Sequence, residues 1–120
     1  MERIGKYYTE AMHFAAGQTI SAEGSIGMGW YILLQGTIGV YKNGARIAEF
    51  TKKGAVFGEL STILNMPRTA TLKADSVADV LYIEENLEQL IIKHPDITRK
   101  IIVSLAERLT KTTRDLTKTF

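Results

Sequence analysis

Gly58-Glu59-Leu60-Ser61-Thr62-Ile63-Leu64-Asn65-Met66-Pro67-Arg68-Thr69-Ala70-Thr71 places one carboxylate and one guanidinium at the two ends of a short, apolar, helix-like segment. That pairing suits a small ligand carrying both a hydroxyl and a phosphate. A carboxylate accepts hydrogen bonds from a sugar hydroxyl, and the planar fork of arginine donates a bidentate pair to a phosphate. Gly58 lets the backbone approach closely, and the first turn after it offers the N–H groups of Leu60 and Ser61, where an anion gains from hydrogen bonds and from the helix dipole. Leu60, Ile63 and Leu64 have helical spacing and are expected to anchor the segment to the core. Pro67 is expected to bend the chain so that Arg68 opens a return strand, Thr69 to Ala74, and swings its guanidinium back over the helix start. For a Glu and an Arg taken alone, an ordinary ion pair across a surface loop is the competing reading.

Outward from this segment, the chain from about Ala11 to Ile83 is a series of short strand-like runs. Gln18 to Ala22, Trp30 to Leu34, Thr37 to Tyr41 and Arg46 to Phe50 are separated by Gly17, Gly24, Gly27, Gly29, Gly36 and Gly54. This spacing of turns fits a compact sandwich or barrel. Asn43-Gly44 between two of the runs predicts a hairpin with a type I′ turn, since both residues tolerate positive φ. After Val77 to Ile83 the period becomes helical: Leu87, Leu90, Ile91 and His94 share a face, and Pro95 interrupts it. Asp96 is the expected N-cap of a longer helix with an apolar stripe through Ile97, Ile101, Ile102, Leu105, Leu109 and Leu116. Positions 102, 105, 109, 112 and 116 alternate three and four apart, as a coiled-coil seam does. That seam suggests a homodimer through the helix, with packing back onto the sheet as the alternative. The reading is a single domain over residues 1–120, mainly β with α: a roll over about 11–83 and C-terminal helices over about 86–119.

Composition narrows the function classes. Of 120 residues, 45% are hydrophobic and 23% charged, an ordinary globular balance, and the net charge of +2 is too small to drive nucleic-acid binding. The absence of cysteine removes disulfides, thiol nucleophiles and thiolate zinc sites. His13 and His94 lie far apart and lack the clustered spacing that a metal site or a metal-dependent β-roll enzyme requires. Arg99, Lys100, Arg108, Lys111, Arg114 and Lys118 are interspersed with Asp96, Glu107 and Asp115 and have no stacking aromatics beside them, so they read as a solvated helical face rather than a DNA-binding one. Met1 to Lys6 carries no apolar run of a signal peptide, and no stretch approaches the roughly 18 apolar residues of a membrane span. A cytoplasmic protein without membrane contact is expected.

Phe57-Gly58-Glu59-Leu60 with Pro67-Arg68-Thr69-Ala70-Thr71 resembles the phosphate-binding cassette of the cyclic-nucleotide-binding domain family. Ala16-Gly17-Gln18-Thr19-Ile20, Glu23-Gly24, Tyr31-Ile32-Leu33, Gly36-Thr37-Ile38-Gly39-Val40 and Gly54 extend the resemblance in order, so that it covers roughly residues 13–110. It implies an eight-stranded antiparallel β-roll, jelly-roll-like, with a short cassette helix and C-terminal helices. It also implies a non-enzymatic regulatory module that takes cAMP or cGMP as ligand, with no cofactor and no metal. By that resemblance Gly58 and Glu59 open the cassette, Glu59 holds the ribose 2′-hydroxyl and Arg68 the cyclic phosphate, and backbone N–H groups of Leu60, Ser61 and Thr69 complete the anion site. A residue of the last helix would cap the base, with Leu109, Thr112, Thr113, Leu116 and Phe120 as candidates. The Thr69 hydroxyl suits a guanine amino group, whereas bacterial members usually take cAMP, so both ligands stay open. Two departures stand out: Met28 replaces the usual acidic residue, and only Glu2 to Glu10 is left to supply an N-terminal helix. With no effector domain following the helices, a separate effector protein is expected. An interaction scaffold that has the fold but binds no nucleotide is the alternative.

Overall fold

The computed structural model describes residues 2–4, 7–27 and 29–117, with side chains over 9–27 and 29–115. The chain divides into two compact units, Met1–Leu87 and Glu88–Phe120.

The first unit is antiparallel throughout. In chain order it contains β1 (Glu2–Ile4), β2 (Tyr7–Phe14), β3 (Thr19–Ser21), β4 (Gly29–Gln35), β5 (Ile38–Lys42), β6 (Ala45–Phe50), β7 (Val56–Phe57), α1 (Glu59–Leu64), β8 (Thr71–Ala74) and β9 (Ala78–Glu84). Eight strands, β2 to β9, form the roll, and β1 extends one edge by pairing with β2. One sheet runs β1-β2-β9-β4-β7 and the other β3-β8-β5-β6. The four strand runs read from the sequence appear as β3 to β6. The stretch that alone was left to supply an N-terminal helix, Glu2 to Glu10, carries β1 and the start of β2 instead. There Thr9 lies opposite Ile83 and Glu10 opposite Tyr82. Tyr and Thr favour strands, and pairing with β9 decides a segment that has no strong helical pattern of its own.

Period-two alternation places the core between the two sheets. Leu72 and Ala74 of β8 point inward on either side of Lys73, and Ala78 and Val80 of β9 on either side of Asp79. With Phe14, Tyr31, Leu33, Ile38 and Phe57 they make one contiguous cluster. Its aromatic end is ordered by stacking: Tyr31 and Phe57 lie 5.1 Å apart at 11°, and Phe50 and Phe57 5.4 Å apart at 24°. The hairpin between β5 and β6 closes at Asn43 (φ 51°) and Gly44 (φ 81°), the left-handed pair that the sequence predicts.

The second unit consists of α2 (Leu87–Lys93), whose first residue lies at the unit boundary, and α3 (Pro95–Thr117). Pro95 is the first residue of α3, where its missing N–H costs nothing, so Asp96 sits in the first turn and is not the N-cap expected from the sequence. Hydrogen bonds cross the junction: the His94 amide reaches the Leu90 carbonyl and the Thr98 amide the His94 carbonyl, both at 2.9 Å. The Thr98 hydroxyl lies 2.9 Å from the His94 carbonyl and 3.1 Å from that of Leu90, next to the donor that proline removes. Along α3, Ile101 is buried while Ile102, Leu109 and Thr112 of the seam are exposed and Leu105 is half-buried. Thr110 and Thr112 spend their hydroxyls on carbonyls four residues back, at 2.9 and 3.0 Å. Among the described residues, no helix is long and apolar enough to cross a membrane.

Candidate functional site

Within the segment from Gly58 to Arg68, Glu59–Leu64 forms the short helix α1, with Glu59 and Ser61 buried. Gly58 takes φ 75° and ψ 6°, a left-handed conformation that costs glycine nothing and turns the chain abruptly from β7 into α1. This sharp entry buries Glu59, which is 1% exposed, and Ser61. The expected apolar anchoring is corrected accordingly: Leu64 is 60% exposed, and Leu60 and Ile63 are only half-buried. The two most buried side chains of this short helix are thus a carboxylate and a hydroxyl, two positions apart and not on one face. At its other end Asn65 is left-handed (φ 51°), and the Met66 amide closes on the Ser61 carbonyl.

Pro67 and the following turn return Arg68 to the helix start, as the sequence predicts. Arg68 is 6% exposed. Its Nη1 donates to the Gly58 carbonyl and, at 2.6 Å, to Ser61 Oγ, and its Nη2 donates to the Gly29 carbonyl at 2.9 Å. Thr62 Oγ1 donates to the same Gly29 carbonyl at 3.0 Å, so α1, β4 and Arg68 meet at one oxygen. The guanidinium carbon lies 5.8 Å from the centroid of the Tyr31 ring.

The electrostatic balance is unusual. Every hydrogen-bond partner of the guanidinium is neutral, and among the described residues no carboxylate pairs with it. The ordinary Glu59–Arg68 ion pair is therefore not formed. The two phenols nearby do not supply a charge either. Burial pushes the Tyr31 hydroxyl above its usual value despite the opposing pull of Arg68, and burial together with Glu84 raises that of Tyr82 to about 12. Arg68 Nε is buried and has no hydrogen-bond partner among the described residues. A buried cation without a counter-charge is costly, by several kcal/mol in order of magnitude. The arrangement can receive an anion.

Sequence reasoning missed part of the wall. A Cβ placed on Gly27 would lie 2.4 Å from Nη2 and 2.6 Å from Nε of Arg68, so the guanidinium occupies the space that any side chain at 27 would need. Gly29 likewise lies against the Tyr82 ring, where a Cβ would come within 2.3 Å. Both glycines read from the sequence as turn punctuation, and no local signal marks their closeness to Arg68 and Tyr82. Among the remaining expected site residues, Thr69 is exposed, with its carbonyl bonded to Lys42 at 2.8 Å. Leu109, Thr112 and Thr113 belong to the second unit and are exposed. The side chain of Leu116, and all of Phe120 and Met28, lie outside the described residues. Among the described residues, no group of histidine and acidic side chains has the geometry of a metal site.

Residues 11–94 match the family model described as the cyclic nucleotide-binding domain. The chain belongs to that family. A cAMP-dependent protein kinase regulatory subunit from Eremothecium gossypii is 35% identical over 65 residues, which is 54% of this chain and 14% of that subunit. This chain therefore spans about one seventh of the relative's length. Among solved structures, the PKAR CBD2 domain with Sp-2Cl-cAMPS bound is similar with a TM-score of 0.66 and 29% identity, over 86% of this chain and 70% of that one. The Thermus thermophilus Catabolite Activator Protein shares the fold, with a TM-score of 0.76 at 23% identity over 90% and 53% of the two chains. The cyclic nucleotide-binding domain thus accounts for the roll, α1 and the helices after it.

Proposed function

We propose that this chain is a sensor that binds a cyclic mononucleotide, cAMP or cGMP, at the Gly58–Thr69 cassette. The observation that carries the reading is the buried Arg68 guanidinium with neutral partners and an unpartnered Nε. A cyclic phosphate supplies the missing negative charge, and the N–H groups of Leu60, Ser61 and Thr69 add donors at the start of α1 and after Arg68. Glu59, held at the first position of α1, accepts from the ribose 2′-hydroxyl. The purine is then capped by a residue of the C-terminal helix, drawn from Leu109, Thr112, Thr113, Leu116 or Phe120. Family membership and the likeness to a domain solved with Sp-2Cl-cAMPS support this reading.

Signalling follows if the two arrangements of the C-terminal helices differ in affinity for the nucleotide, since a ligand shifts an equilibrium only by its differential affinity. The helix surface so changed, with Ile102 and Leu109 exposed along it, is what a separate effector or a second copy would read. Titration calorimetry with cAMP and cGMP tests the reading: saturable heat with one or both is expected, and no heat up to millimolar concentration contradicts it.

A further inference from the structure

One lysine ties the β5–β6 hairpin to the end of the cassette. Lys42 Nζ donates to the Glu23 carboxylate at 2.9 Å and to the Thr69 carbonyl at 2.8 Å. The other Glu23 oxygen accepts from the Asn43 amide at 3.3 Å, and the Glu23 amide donates to Thr71 Oγ1 at 3.0 Å. The next residues of the same turn hold the backbone of Arg68: the Gly24 amide donates to its carbonyl and its own amide donates to the Ser25 carbonyl, both at 2.8 Å. Since β8 begins at Thr71, residues 68–70 precede the sheet ladder and depend on these bonds.

A trans peptide is planar, so fixing a carbonyl also fixes the N–H of the following residue, which points the opposite way. Gly24 thereby sets the direction of the Thr69 N–H, and Lys42 sets that of the Ala70 N–H. We propose that Lys42 and Glu23 are positioning residues, a clamp that holds the Arg68–Thr71 backbone in the geometry from which the guanidinium and the Thr69 N–H meet an anionic ligand. The proposal rests on the ligand reading given above. Lys42 and Glu23 side chains are 46% and 31% exposed, so solvent and salt screen their attraction. The clamp accordingly orders a short segment rather than stabilising the whole roll.

Amide hydrogen exchange and titration calorimetry with cAMP and cGMP, on the wild-type, Lys42→Met, Glu23→Gln and doubly substituted chains, separate these roles. Exchange over residues 68–71 is expected to accelerate about ten-fold in each single variant and no further in the double variant, a local opening. Nucleotide affinity is expected to fall about five-fold in each, and to recover in Lys42→Arg, which keeps a charged donor. Unchanged exchange over 68–71, or two effects that simply add, overturns the clamp. Faster exchange with full affinity overturns its positioning role. A wild-type chain that takes up neither nucleotide overturns the ligand reading instead, and the exchange arm, which needs no ligand, still decides whether Lys42 and Glu23 hold the segment.

Discussion

Arg46 and Arg68 carry the same guanidinium into opposite surroundings. Arg46, 42% exposed at its side chain, is served by two carboxylates: Asp75 at 2.8 Å and Glu49 at 2.8 Å. Asp75 in turn accepts from the Tyr41 hydroxyl at 2.6 Å. Glu49 and Asp75 hold the proton on Arg46 more tightly than usual, and Asp75 is kept below the ordinary carboxylate range by the Tyr41 bond and then by Arg46. The charge is neutralised by the chain itself, in water, where such pairs add little. Arg68 is buried, and no carboxylate among the described residues pairs with it. The exposed arginine thus has carboxylates around it and the buried one only carbonyls and a hydroxyl, the contrast on which the proposed anion site rests.

The sharpest way to break this contrast is to remove each arginine in turn. Arg68→Ala should cost about 3 kcal/mol or more of cyclic-nucleotide binding, beyond a hundred-fold in dissociation constant, because it removes a desolvated, charge-assisted contact. Arg46→Ala should leave the affinity unchanged, and calorimetric titration of both variants reads the difference. Equal losses would erase the distinction.

A second test acts on shape rather than charge. Gly27→Ala drives a methyl into the Arg68 guanidinium, which must shift and give up hydrogen bonds to make room, and should cost about 1–3 kcal/mol in binding, as overpacking does. Affinity retained at the wild-type level would show that the guanidinium is not confined by Gly27.

The smallest effect concerns acid. The Tyr41 bond and then Arg46 hold the folded Asp75 carboxyl below the ordinary carboxylate range, so its contribution to stability is present above the unfolded value and is lost as pH falls through the lowered folded one. Thermal melts between pH 5 and pH 2 should show wild type losing more stability than Asp75→Asn over the acid end of that range. Parallel curves would mean that the Arg46 cluster contributes nothing.

Much of this was legible in the sequence, for identifiable reasons. Strands β3 to β6 follow from short runs between glycines, and the Asn43-Gly44 turn from the rarity of residues that accept positive φ. Return of the Arg68 guanidinium to the start of α1 followed from Pro67 and the strand after it. The buried face of α1 was not legible, because helical spacing of Leu60, Ile63 and Leu64 predicts an apolar face inward. Instead Glu59 and Ser61 are the buried residues of the helix, with Ser61 Oγ taken by Arg68. Nor was the role of Gly27, since a close approach between residues 41 positions apart leaves no local pattern. The strand at Tyr7–Phe14 escaped for a similar reason: its partner, β9, lies at the far end of the roll.

The unpartnered Nε–H of Arg68 is the most direct witness to the central claim. Its NMR resonance, followed while cAMP or cGMP is added, should shift and its exchange with solvent should slow as a phosphate oxygen takes the bond, with no change when adenosine, which has no phosphate, is added instead. A resonance that stays in place at millimolar concentrations of both cyclic nucleotides would contradict the assignment of Arg68 as the receptor for the anion.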